Sequence, residues 1–157
     1  MGSFRNARKN SRIAGRADGG LGVPRLTRGL GAVEGDPGQL QQLIMNLIIN
    51  GGEAVDDHTG TVRVTTGVQR VFNGAEPRGF GSEPIPAGQY VFLEVQDTGC
   101  GMDEGTKARI FDPFFTTKFM GRGLGLAAAL GIVKGHGGAV QVESTPAKGS
   151  IFRVLFP

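Results

Sequence analysis

In YVFLEVQDTGCGM (90–102), an acid, Asp97, ends an apolar run, and two glycines follow it, Gly99 and Gly101, around Cys100. A carboxylate at a strand end can accept a hydrogen bond from an exocyclic amine such as that of adenine. Glycines there remove β-carbons that would hold a flat ring away from the backbone. An Asp-x-Gly turn is also ordinary, so this stretch needs partners before it means anything. One candidate lies upstream, in MNLIINGGEA (45–54). At roughly 100° per residue, Asn46, Asn50 and Glu53 fall within about 60° of one another on a helix, at one edge of its apolar stripe. Neutral amide oxygens suit a hard cation such as Mg²⁺ whose remaining shell is water and phosphate. The same asparagines could equally edge a core helix.

Two further stretches lie downstream. GRGLGLA (121–127) sets Gly121, Gly123 and Gly125 before a helix, where free backbone N–H groups can hold phosphate oxygens. Its G-x-G-x-G spacing is neither the Rossmann fingerprint nor a P-loop, and it comes late in the chain, so both of those folds are disfavoured. IFDPFFTTK (110–118) offers Thr116, Thr117 and Lys118 as phosphate-directed donors. Its phenylalanines, Phe111, Phe114 and Phe115, read either as a plug at the base of a movable segment or as a simple core cluster. Cys100 has no histidine near it in sequence, and His58 and His136 lack metal-ligand spacing.

These residues need elements to carry them. Asp36-Pro37 is an N-cap with proline in the first turn. Leu40, Leu43, Ile44, Leu47 and Ile48 then recur at helical spacing, predicting a helix to about Val55. Gly51 projects near its apolar centre, for close packing on a sheet. TVRVTTGV (61–68) and YVFLEVQ (90–96) read as strands, with 73–88 a loop or irregular hairpin. DEGTKARIF predicts a short helix and LAAALGIVKG a longer one. AVQVEST and SIFRVLF form a closing hairpin. Residues 1–35 are weakly periodic and hold at most one poor strand.

The chain has 157 residues, 39% hydrophobic and 20% charged, enough for one domain with a sizeable core. No apolar run is long enough to span a bilayer. Its 28 glycines stand far above the roughly 7% of average usage, yet without the period of a repeat. The net charge is +3, and much of the basic excess (Arg5, Arg8, Lys9, Arg12, Arg16, Arg25, Arg28) lies in the N-terminal segment. A basic arm can touch nucleic acid or a membrane surface, but a solvated end is the expected reading, since no aromatic platform accompanies it. A single cysteine excludes an internal disulfide and suits a reducing compartment.

In this order, the four stretches resemble the catalytic, ATP-binding domain of sensor histidine kinases, within the GHKL ATPase/kinase superfamily. NLIINGGEA is similar to the asparagine box, DTGCGM to the first glycine box, IFDPFFTTK to the phenylalanine box and GRGLGLA to the second glycine box. The resemblance runs from Glu34 to Pro157, leaving 1–33 as a separate basic, Gly-rich segment. It implies a two-layer α/β sandwich of Bergerat type, a mixed sheet of about five strands covered on one face by about three helices. It also implies ATP and Mg²⁺ as ligands. Asn50, with Asn46, would coordinate the metal. Asp97 would receive the adenine amine, with Gly99, Gly101 and Met102 around the base. Thr117, Lys118, Gly121, Arg122, Gly123, Leu124 and Gly125 would line the lid and phosphate end. Asn46, Asn50 and Lys118 would carry the catalytic role.

The pattern departs from the family in places. Gly51-Gly52 stands where Asn-Ala is usual, and Glu53 where many members carry a basic residue. No phosphoacceptor-histidine helix is recognisable around His58 or His136. Gyrase- and MutL-like relatives place a water-activating acid four residues before the magnesium asparagine. That position is Asn46, whose amide cannot act as a general base. The expected activity is therefore phosphoryl transfer to a histidine on a separate helical domain, followed by a response regulator. A bare nucleotide-binding module and a GHKL-type ATPase are the alternatives. A cytoplasmic location, a monomeric isolated domain, and no nucleic-acid or membrane contact complete the expectation.

Overall fold

The computed structural model describes residues 25–26, 28–55, 59–73, 77–117 and 123–157. Of the basic N-terminal segment only its last residues fall in that set; His58, Lys118, Gly121 and Arg122 lie outside it.

The elements in chain order are β1 (Arg25–Leu26), α1 (Pro37–Val55), β2 (Val62–Val71), β3 (Gly88–Asp97), α2 (Glu104–Arg109), α3 (Gly125–Gly135), β4 (Ala139–Thr145) and β5 (Gly149–Phe156). They build one sheet in the order β1-β2-β3-β5-β4. Its four long strands are antiparallel, while the two-residue β1 lies parallel to β2 at the edge. The mixed sheet and three α-helices match the expected architecture.

The start of α1 follows from its sequence. The Asp36 carboxylate accepts from the N–H of Gln39 at 2.8 Å, and the Asp36 carbonyl accepts from Leu40 at 3.0 Å. Pro37, with no N–H to satisfy, fits the first turn. Leu40, Leu43, Leu47, Gly51 and Val55 are its buried line. They meet Val91, Leu93 and Val95 of β3 and Phe152, Val154 and Phe156 of β5, the alternate residues of one sheet face. Gly51 is packed where expected: an added β-carbon would stand 3.3 Å from Val62 and 3.5 Å from Asp97.

The opposite sheet face carries a smaller apolar cluster of Val71, Ile85, Tyr90 and Leu155, with Phe92 against it. Beside it the Arg153 guanidinium pairs with Glu94 and lies 5.0 Å from the Phe92 ring centroid. Covering on both faces explains why YVFLEVQ is apolar at successive positions rather than alternating. β2 and β3 extend further than their sequence signals, because ladder pairing from Val62↔Asp97 to Val71↔Gly88 recruits polar residues. Among its described residues the loop between them holds a short 3-10 turn, Phe80–Ser82, and the bridge Arg78↔Pro84.

Candidate functional site

Asp97 is the last residue of β3 and is 2% exposed. Its Oδ1 accepts the N–H of Gly99 at 2.9 Å, so the carboxylate closes its own turn. Contacts from three other places then grip that turn. The Cys100 N–H donates to the Ala54 carbonyl of α1 at 3.0 Å, and the Cys100 carbonyl accepts from Ala147 at 2.7 Å. Next, the Met102 N–H donates to Ser144 Oγ at 2.9 Å, and Ser144 itself donates to the Gly149 carbonyl at 3.1 Å.

This grip gives the two glycines a reason that spacing alone does not show. A β-carbon on Gly99 would lie 2.3 Å from the Ala54 carbonyl oxygen, and one on Gly101 would lie 2.0 Å from that of Thr145. Gly101 also has φ +62°, a conformation side chains seldom adopt. The space that β-carbons would need there is taken by the protein's own backbone.

The other end forms around α3. Asn46 and Asn50 lie half-buried one turn apart on α1. The Asn46 Nδ2 donates to the Gly125 carbonyl at 3.0 Å, which brings the polar edge of α1 against the first residue of α3. Among the described residues no side chain caps that helix start at Leu124, and first-turn N–H groups of this kind suit an anion. Just before it, Gly123 has φ +68° and its carbonyl accepts from Phe114 at 2.9 Å. A β-carbon on Gly123 would sit 2.5 Å from the Phe114 carbonyl carbon. GRGLGLA and IFDPFFTTK are thus stapled to each other.

The sequence profile described as "Histidine kinase-, DNA gyrase B-, and HSP90-like ATPase" matches residues 35–157. The chain belongs to this family. Among family members with sequence similarity are the sensor kinase CckA of Brucella abortus, 36% identical over 83% of the chain and 14% of that protein, and the sensory histidine kinase/phosphatase NtrB of Azospirillum brasilense, 35% identical over 86% of the chain and 32% of that protein. The chain therefore spans less than a third of either relative. The nucleotide-free catalytic domain of the histidine kinase ThkA superposes with TM-score 0.63 at 27% identity, over 85% of this chain and 76% of that one. A full-length ShkA structure in complex with AMPPNP gives TM-score 0.64 at 27% identity, over 86% of this chain and 25% of that one. The fold is that of a histidine-kinase catalytic, ATP-binding domain.

Within this kinase-type domain the structure brings Asn46, Asn50, Asp97, Gly99, Gly101, Met102, Gly123, Leu124 and Gly125 to the α1–α3 side of the sheet. Thr117 is exposed, and the phenylalanines split into three roles. Phe111 is core, edge-on to Phe80 and Phe152 with centroids at 4.5 and 6.5 Å. Phe115 packs on the core margin under the Arg109 guanidinium, 4.4 Å from its centroid. Phe114 is 76% exposed with φ 68°. The supporting residues Ala54, Ser144, Thr145 and Ala147 were invisible in sequence, because they act through small side chains or backbone.

His136 was also missed. It ends α3, and its Nε2 accepts the N–H of Asp36 at 3.0 Å. Its Nδ1 lies 2.7 Å from the Ile132 carbonyl, so Nδ1 carries the proton and donates. Gly35 makes room for the ring: a β-carbon there would be 2.6 Å from His136 Cδ2.

Among the described residues no group of three or more His, Cys, Asp or Glu could enclose a metal. The donors proposed at the polar edge of α1 are the amides of Asn46 and Asn50, with the Glu53 carboxylate further along the same edge. Such a set fits a divalent ion that arrives with phosphate and water, and it does not form a cage for a bare one. No described helix is long and apolar enough to cross a membrane.

Proposed function

We propose that this chain, as a domain unit of residues 34–157, binds Mg·ATP between α1, the 97–102 turn and the start of α3. It then presents the γ-phosphoryl to a histidine on a separate phosphoacceptor-helix domain. The observation that carries the reading is the uncapped N-terminus of α3 held against the asparagine edge of α1 by the Asn46–Gly125 hydrogen bond. Asp97 accepts the adenine amine, with Gly99, Gly101 and Met102 beside the base. Asn50 and Asn46 hold Mg²⁺, which neutralises phosphate charge. The first-turn amides of α3, with Gly123, Leu124 and Gly125, receive the phosphate chain, and Thr117, Lys118, Gly121 and Arg122 supply further donors from the lid. Catalysis of this kind rests on positioning and charge neutralisation.

The amide at position 46 favours transfer over hydrolysis, because it cannot take a proton from water. A response regulator would receive the phosphoryl next. The domain acts as a monomer on the cytoplasmic side. The full-length relatives are much longer than this chain, so the phosphoacceptor would come from the rest of such a protein or from another chain.

The test is a thermal shift with ATP in Mg²⁺ for the parent and for Asp97→Asn. The parent should be stabilised, and the variant should lose affinity by about 10- to 100-fold, the worth of a hydrogen bond to a charged group. A parent without a shift, or a variant with the parent's shift, refutes the site. With γ-labelled ATP, the chain alone should stay unlabelled and a separate phosphoacceptor-helix dimer should become labelled. Rapid phosphate release by the chain alone would mark an ATPase instead, and neither label nor release a bare binding module.

A further inference from the structure

The Asn46 side chain has two ends with opposite hydrogen-bonding character, and one of them is already committed. Its Nδ2 donates at 3.0 Å to the carbonyl of Gly125, the first residue of α3. A carbonyl has two lone pairs, so it can serve the helix and accept this side-chain N–H as well. Asn46 is half-buried, and the contact joins residues 79 apart in sequence. A β-carbon on Gly125 would stand at 4.0 Å from Asn46 Cγ, an ordinary separation. The hydrogen bond, and not a steric press, sets the approach.

We propose that Asn46 is a positioning residue for the phosphate end: its amide N–H fixes the N-terminus of α3 against α1 whether or not a cation is present. The proposal rests on the reading of this end as the phosphate end and extends it. The carboxamide is planar, so donating through Nδ2 also fixes the direction of Oδ1. One side chain thereby sets both the helix amides and the oxygen offered to the cation. This explains why an amide stands at 46. A carboxylate there would set acceptor against acceptor at Gly125. A metal ligand alone would have no such restriction, because carboxylates bind Mg²⁺ well.

The two roles separate when the metal is removed. The affinities of ADP and of adenosine are measured by calorimetry for the parent and Asn46→Leu, a near-isostere without polar atoms, in EDTA and in Mg²⁺. With EDTA, the variant's ADP affinity should fall about 3- to 10-fold, the net worth of one hydrogen bond. Adenosine affinity should not change, because the 97–102 turn is held by other contacts. Asn46→Ala carries the same expectation if the leucine does not fold. ADP affinity equal to the parent's in EDTA, with a deficit only after Mg²⁺ is added, would overturn the proposal and leave Asn46 a metal ligand only. An equal loss for adenosine and ADP would overturn it too, as a general loss of structure. A parent that binds no ADP even with Mg²⁺ would overturn the nucleotide reading and this proposal together.

Discussion

The two ends of the candidate nucleotide site are built in different ways. At the 97–102 turn, Asp97 is buried, and backbone or hydroxyl bonds from Ala54, Ala147 and Ser144 hold Cys100 from both sides and Met102 beyond it. At the start of α3 the hydrogen bonds across elements include one side-chain bond, Asn46 to Gly125, and one staple, Phe114 to Gly123. Phe114 and Leu124 beside them are exposed. The end proposed to bind the base is thus preformed. The proposed phosphate end, flanked by exposed side chains, can rearrange at smaller cost, since local opening is easiest where side chains are exposed.

The sharpest way to break this comparison is Gly101→Ala. The added carbon would meet the Thr145 carbonyl oxygen at 2.0 Å, and the backbone has φ +62°. Stability should drop by about 3 kcal/mol or more in urea unfolding, because strand-end backbone must move. Gly123→Ala has a similar clash, 2.5 Å from Phe114, and φ +68°. Here the loss of stability should be only about 1 kcal/mol, because the Phe114 staple can open without disturbing the core. ADP affinity should fall about tenfold while adenosine affinity holds. Equal destabilisation by the two substitutions would erase the distinction between the ends.

The smallest effect sharpens the boundary just past the turn. The N–H of Thr106 donates to Asp103 Oδ1 at 2.7 Å and caps α2. That backbone bond, with the Thr106 side chain second, holds the Asp103 carboxyl below its ordinary value of 3.8, against a minor opposing effect of burial. A lowered value means the cap stabilises the fold above pH 3.8 and fades as pH falls through the folded value. The melting-temperature advantage of the parent over Asp103→Asn should therefore shrink only below that pH. An advantage unchanged on acidification would mean that the charge is not what caps the helix.

Much of the fold was legible. Asp36-Pro37 and the leucine line announced α1, and the closing hairpin appeared where its alternation and Pro-Ala-Lys-Gly turn put it. The four stretches were legible as a set, in order, before any was legible alone. What stayed hidden was contact at long range. Gly99 and Gly101 owe their identity to Ala54 and Thr145, which are distant in sequence and interact through backbone. No periodicity encodes that. The second apolar cluster was hidden too, since a strand covered on both faces loses the alternation that would reveal which residues belong to which.

His136 has a consequence for where a phosphoryl group can go. Phosphorylation of an imidazole needs a nitrogen lone pair free to attack phosphorus. At Nε2 that pair is engaged by the N–H of Asp36, and at Nδ1 the nitrogen carries a proton donated to Ile132. Attack from Nε2 would first require parting the end of α3 from the start of α1, and attack from Nδ1 would require losing its proton and its bond to Ile132. As a nucleophile this histidine is spent on architecture, so under the proposed function the acceptor is a histidine other than His136.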